Sequence, residues 1–203
     1  CNFFAETHEC WVVDSGIRHN LADSDYNNRR AECETALRAL QAEFGADTIP
    51  ALRDATMDQI LVFHDRLAPE VFRRAFYIHG ECERVRIAAS LLKRPLPQLF
   101  GVAMFDAHAG LRDGFEVSIP EIDLLVATAE ASKHAVGARL VGGGFGGCTL
   151  NLVEKGKGEP FLDQLNTAFQ KAYGRRVQGW KVELVDGVQT KMDLKGLSPE
   201  FRW

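Results

Sequence analysis

The sequence predicts an α+β fold: a four-stranded antiparallel sheet with helices packed on it. Three observations carry this expectation. Four strand-like runs are unevenly placed, one near the start and three late, with a block of helical patterns between them. The second and third runs are joined directly by a short glycine-rich loop, which points to an antiparallel pair. Regular alternation of strand and helix, the mark of a doubly wound parallel sheet, is absent.

The 203 residues are 46% hydrophobic and 26% charged. This is an ordinary globular composition with enough chain for a real core. Residues 1–187 read as one domain and 188–203 as a C-terminal tail. A net charge of −4 gives no general case for nucleic acid or membrane partners. The five cysteines are scattered and form no C-x-x-C pair, so neither a zinc site nor a disulfide framework is indicated. Free thiols in a reducing cytoplasm are the simplest account. No apolar run reaches the roughly 18 residues of a membrane span, and no signal peptide is visible.

Taken in order, Cys10–Val13 reads as a buried strand ended by Asp14-Ser15-Gly16. A helix is expected from about Ser24 to Phe44, capped by Asp23 or Ser24. Its apolar stripe would hold Tyr26, Cys33, Leu37, Leu40 and Phe44, with Arg29, Glu32, Arg38 and Glu43 opposite. Gly45 is placed to end it. A short helix around Met57–Phe63 follows. A longer one opens at Pro69, with Phe72, Ala75, Ile78, Cys82, Val85, Ala89 and Leu92 inward, and Pro95 stops it. Pro97 opens the next, with Phe100, Ala103, Met104, Ala107 and Leu111 inward. Ser118 and Glu121 read as a capping box for a helix carrying Ile122, Leu125, Val126 and Ala129. Ala138–Val141 and Cys148–Val153 are the two central strands. In the second, Cys148, Leu150 and Leu152 face one way, and Thr149, Asn151 and Val153 the other. Pro160–Tyr173 is a helix closed by Gly174, and Trp180, Val182 and Leu184 alternate in a last strand.

The chemistry begins with Gly142-Gly143-Gly144-Phe145-Gly146-Gly147. Five glycines in six positions exceed what a hairpin turn needs. Two readings fit: backbone amides bared to an anion such as phosphate, or a wide turn at a packed sheet edge. No Gly-Lys-Ser/Thr follows, so this is not the usual phosphate loop. Arg18 and His19 stand in a connector after a strand, where binding groups collect, but a solvated surface pair fits as well. Tyr26 is either a core tyrosine or one whose hydroxyl reaches a cleft. Arg29-Arg30, Arg73-Arg74 and the run Glu81–Arg86 read as solvated helix faces. His108, Arg112, Asp113 and Glu116 gather near a helix end, as an ion-paired corner or the lining of a site. His8, His64, His79 and His134 are isolated and suggest no metal set.

Three blocks then carry a resemblance. Residues 18–33 match R-H-x-L-x-x-S-x-Y-x-x-R-R-x-x-C; residues 106–123 are similar to S-H-x-S-L-R-D-x-Y-E-V-S-x-P-E-L-D; residues 137–149 are similar to G-A-R-M-T-G-G-G-F-G-G-C-T. In this order, across about residues 11–186, they resemble galactokinases. The third block is the third signature motif of the wider superfamily called GHMP kinases. The resemblance implies a ferredoxin-like GHMP kinase C-terminal domain. It implies transfer of the γ-phosphate of ATP to the C1 hydroxyl of galactose, with Mg²⁺, in the cytoplasm. By the same resemblance Tyr26 contacts the sugar, Arg18 lies near the reacting hydroxyl, and Gly142, Gly143, Gly144, Phe145, Gly146 and Gly147 lie beside the nucleotide phosphates. Relatives acting on N-acetylgalactosamine, arabinose or galacturonate share much of this pattern, so it does not fix the sugar.

The chain also departs from the family. Val141 replaces a hydroxyl residue and Phe115 a tyrosine. The sugar block G-R-x-N-L-I-G-E-H-x-D-Y, the nucleotide loop P-x-G-x-G-L-S-S-S-A and the catalytic aspartate of G-x-M-D-Q do not occur. Met57-Asp58-Gln59 shares three letters with the last but follows the tyrosine block and lacks its glycine. The expectation is therefore the C-terminal half of such a kinase, incomplete as a catalyst alone. The alternative is a free-standing, non-catalytic sugar- or nucleotide-binding or dimerisation module. An exposed apolar face is expected, covered by the missing N-terminal lobe or by self-association.

Overall fold

The computed structural model describes residues 4–18 and 25–183. Four strands, β1 (His8–Asp14), β2 (Ala135–Val141), β3 (Cys148–Glu154) and β4 (Gln178–Val182), form one sheet in the order β2-β3-β1-β4. Every neighbouring pair is antiparallel. β1 and β2 are therefore parallel to each other with β3 inserted between them, and β3 and β4 are parallel across β1. This is the split βαβ arrangement of the ferredoxin-like fold, as expected. Leu184 and the boundary at residue 187 lie outside the described residues, as do His19 and the caps Asp23 and Ser24.

Six α-helices accompany the sheet among the described residues: α1 (Asp25–Phe44), α2 (Met57–Leu61), α3 (Pro69–Leu91), α4 (Pro97–Ala109), α5 (Pro120–Glu130) and α6 (Gly158–Tyr173). A 3-10 turn spans Leu52–Asp54 and a π turn spans Gly110–Gly114. The start and stop signals act as their chemistry dictates. Pro69, Pro97 and Pro120 occupy first turns, where no amide is needed. Gly45 and Gly174 follow helix ends at positive φ.

One face of the sheet carries the main core. Trp11, Val13, Ala138, Leu140 and Val153 meet Ile122, Leu125, Val126 and Ala129 of α5 and Phe161, Leu165 and Phe169 of α6, all buried. Each large side chain removed from water here contributes about 1.5–3 kcal/mol. In β3 the fully buried face is Thr149, Asn151 and Val153. The two polar residues are tolerated because the Asn151 amide donates to the Trp11 carbonyl (3.2 Å) and the Thr149 hydroxyl (3.0 Å). On the other face, Phe100 and Met104 of α4 pack on Leu150, Leu152, Val136 and Phe4. Gly101 of α4 sits directly on the Val136–Gly137 backbone.

A second core unites α1, α2 and α3 through Ala36, Leu40, Ile49, Leu52, Ile60, Phe63, Val71 and Ala75. Several expectations are corrected here. Tyr26 does not share the buried stripe of α1 and is 46% exposed. Arg29 and Glu32 are partly buried rather than solvated, and Arg74 is 1% exposed, because both arginines pair with Glu32 and with Glu116. Val85 and Ala89 of α3 lie exposed, not inward. Val85, Ile87, Leu99 and Val102 are each more than half exposed on α3 and α4. The capping box at Ser118 is not formed. Ile119 is the N-cap, and the Ser118 hydroxyl donates to Asp123 instead (2.5 Å). Thr56 and Gln59 do form a reciprocal capping box, so the Met57-Asp58-Gln59 triplet begins a short helix.

Candidate functional site

The site is built where β1 ends against the loop joining β2 to β3. Register pairs Asp14 with Cys148, so the two strands release their connectors side by side. The connectors then bond to each other. Ser15 donates to the Gly147 carbonyl from its amide (3.0 Å) and from its hydroxyl (2.8 Å), and the Gly147 amide donates to Ile17 (3.0 Å). Asp14 Oδ1 accepts from the Gly16 amide (2.9 Å) and from Arg18 (2.7 Å), while Oδ2 accepts from the other Arg18 terminal nitrogen (2.5 Å). This bidentate brace leaves the Arg18 side chain 68% exposed but fixes its direction. The Arg18 hydrogen bonds hold the Asp14 carboxyl below the usual range, against a smaller opposing effect of burial.

The glycine loop takes conformations that side chains resist. Gly142, Gly144, Gly146 and Gly147 have positive φ, and Phe145 adopts φ 56°. Two amides anchor it: Gly147 to Ile17, and Phe145 to the Val117 carbonyl (2.7 Å). A Cβ on Gly144 would overlap that same carbonyl, so the loop lies flat against Val117. Gly142 and Gly143 are exposed. Among the described residues, the Gly143 and Gly144 amides donate no backbone hydrogen bond. The Tyr26 ring stands beside this segment, 3.9 Å from where a Gly143 Cβ would be.

The structure thus brings together Arg18, Tyr26 and the loop from Gly142 to Gly147, which are far apart in sequence. It disperses the group His108, Arg112, Asp113 and Glu116. His108 is buried, with Nδ1 accepting from the Leu140 amide (3.4 Å) and Nε2 at 3.2 Å from Asp123. An Nδ1 that accepts leaves the ring proton on Nε2, which makes no hydrogen bond to that carboxylate. Arg112 pairs with Asp113 at the surface (2.7 Å), and Glu116 turns to Arg74. Phe115, in place of a tyrosine, stacks on Tyr77 at 4.9 Å. Val141, before the loop, is 43% exposed. In sequence Asp14 and Ser15 mark only a strand end; the Asp14–Arg18 spacing is the signal available for the role of Asp14. Among the described residues no group of three or more His, Cys, Asp or Glu could hold a metal ion.

The Asp14 brace predicts a pH effect. A carboxylate whose folded pKa is depressed contributes stability above its unfolded pKa, near 4, and loses it as pH falls through the lower folded value. Acid unfolding below about pH 4 is therefore expected to be steeper in the unaltered chain than in Asp14→Asn. Buried His8 resists protonation in both chains and cancels in that comparison. Equal acid limbs in urea titrations from pH 6 to 2.5 would remove the role given to Asp14.

Comparison with known proteins shows what the chain and its fold are similar to. Residues 88–171 match the family model for the GHMP kinases C terminal. Galactokinase of Roseiflexus sp. is 43% identical over 183 residues, covering 90% of this chain and 46% of that protein. Human galactokinase is 36% identical over 178 residues, covering 88% and 43%. The crystal structure of Lactococcus lactis galactokinase complexed with galactose superposes with a TM-score of 0.80 at 26% identity, over 86% of this chain and 44% of that one. The chain spans a little under half the length of these relatives. It carries a GHMP kinase C-terminal domain. The relatives it matches are galactokinases, and it corresponds to their C-terminal half.

Proposed function

We propose that this chain is the C-terminal lobe of an ATP-dependent galactokinase-type sugar kinase that phosphorylates the C1 hydroxyl of galactose. The observation that carries the reading is the convergence of Arg18, Tyr26 and the glycine loop on one side of the sheet end. Phosphoryl transfer depends on positioning and charge stabilisation more than on covalent chemistry by the protein. In this reading the backbone amides of Gly143 and Gly144 face the nucleotide phosphates. Arg18, aimed by Asp14, offers a cation near the acceptor hydroxyl, and Tyr26 offers a ring face and a hydroxyl to the sugar. The described residues offer no cluster fit to hold Mg²⁺, so no step is assigned to it. Residues 1–187 act as the folded unit in this reading, and the cytoplasm is its proposed setting.

Calorimetric titration with MgATP tests the reading. Weak binding is expected for the unaltered chain, lost in Gly144→Ala; heats identical for the two chains would count against the loop. No galactose-dependent ATP turnover is expected from these 203 residues assayed alone, because the catalytic aspartate and main nucleotide loop of the family pattern are not among them. Turnover that disappears in Tyr26→Phe or Arg18→Ala would overturn this expectation.

A further inference from the structure

We propose that Arg74 is a positioning residue that couples the glycine loop to helix α1. Its functional meaning rests on the reading of that loop as a phosphate-facing segment. The guanidinium is 1% exposed, and all three of its nitrogens are engaged. Nε donates to Glu32 on α1 (2.6 Å), one terminal nitrogen to the Gly114 carbonyl (2.5 Å), and the other to the Glu116 carboxylate. Lysine cannot reproduce this fork, because its donors radiate from a single point. Arg29, also on α1, reinforces the joint through Glu32 (3.1 Å) and the Glu116 carbonyl (3.4 Å).

The force is passed on through one strained turn. Glu116 sits at φ 56°, a conformation that costs a non-glycine residue about 1–2 kcal/mol and persists only when its surroundings hold it. Arg74, the buried partner of the Glu116 carboxylate, holds it, with Arg73 (3.5 Å) and Arg29 (3.9 Å) beside it. The next residue, Val117, bonds back to Leu111 (2.9 Å) and accepts the Phe145 amide (2.7 Å). Phe145 is the other described non-glycine residue at positive φ. Two strained residues thus brace one another across the Val117 carbonyl. On its other side Arg74 anchors α1, whose first turn carries Tyr26. One buried cation therefore registers the aromatic wall against the loop.

The loop has a built-in control. Its second anchor, Gly147 to Ile17, runs through β1 and not through Arg74. Amide exchange is to be measured by NMR on the full 203-residue chain with Arg74→Lys. The expected result is exchange at Phe145 about tenfold faster or more, with Gly147 and the β3 amides at their original rates. A merely structural role would accelerate Phe145, Gly147 and the sheet together; that outcome, or an unchanged Phe145, overturns the proposal. Should Arg74→Lys fail to fold, Glu116→Gln at the partly exposed partner is expected to give the same selective acceleration, and a uniform or absent effect there overturns it equally. MgATP titration of the unaltered chain separates the two ideas. Absence of binding would remove the phosphate reading while leaving the exchange result to decide the coupling.

Discussion

Gly101→Ala is expected to cost about 3 kcal/mol or more of folding stability, at the upper end of overpacking changes. Gly101 lies in α4 where that helix rests on β2. A Cβ would overlap the Val136 carbonyl oxygen, and a Cβ on Gly137 would in turn overlap the Gly101 backbone. Neither neighbour is a flexible side-chain end; both are backbone in a paired strand. The helix would have to lift, opening the contact of Phe100 and Met104 with Leu150 and Leu152. Gly80→Ala supplies a control of opposite sign. It lies within α3, and a Cβ there meets nothing within 4 Å, so the helix propensity gain of about 0.5–1 kcal/mol should appear. Urea unfolding followed by far-ultraviolet circular dichroism measures both. A loss below about 1 kcal/mol for Gly101→Ala would mean that α4 and β2 are not in this contact.

Gly144→Ala is expected to cost about 2–3 kcal/mol, from strain at φ 88° together with displacement of the Val117 carbonyl. Because that carbonyl accepts the Phe145 amide, the loop should lose one of its two anchors. Gly142→Ala isolates the conformational part. It has φ 97° but open space around its Cβ position, so about 1 kcal/mol is expected. Equal losses in the two chains would show that Gly144 does not rest on Val117. Protection of the Phe145 amide, lost in Gly144→Ala and kept in Gly142→Ala, gives the independent readout.

Much of the fold was legible because its determinants are local. Proline at first turns, glycine after helix ends and the apolar period of α6 act within a few residues, and each element they delimit is present. The direct joining of β2 and β3 by a short loop required an antiparallel pair. The three blocks of resemblance likewise rest on residue identity and order. The strand order is another matter: β3 inserts between β2 and β1 because of pairings more than a hundred positions apart, as Val13 with Thr149 shows. In β3 the alternation separates Leu150 and Leu152 from Thr149, Asn151 and Val153, but only the structure shows that the polar pair lies on the main-core face, where the Asn151 amide donates to the Thr149 hydroxyl.

The site divides in the same way. The sequence by itself determined that a glycine loop, an arginine after a strand and a tyrosine at a helix start were worth watching. Only the tertiary structure decided that they meet, and that Tyr26 stands in the open beside Gly143. It also moved Arg74 from a presumed solvated face to the buried joint of two helices and a strained turn. The reason is physical. Periodicity reports which face of a helix is apolar, but whether a guanidinium can leave water depends on the carboxylates that come to meet it. For Arg74 those are Glu32 and Glu116, each 42 residues away, one on either side.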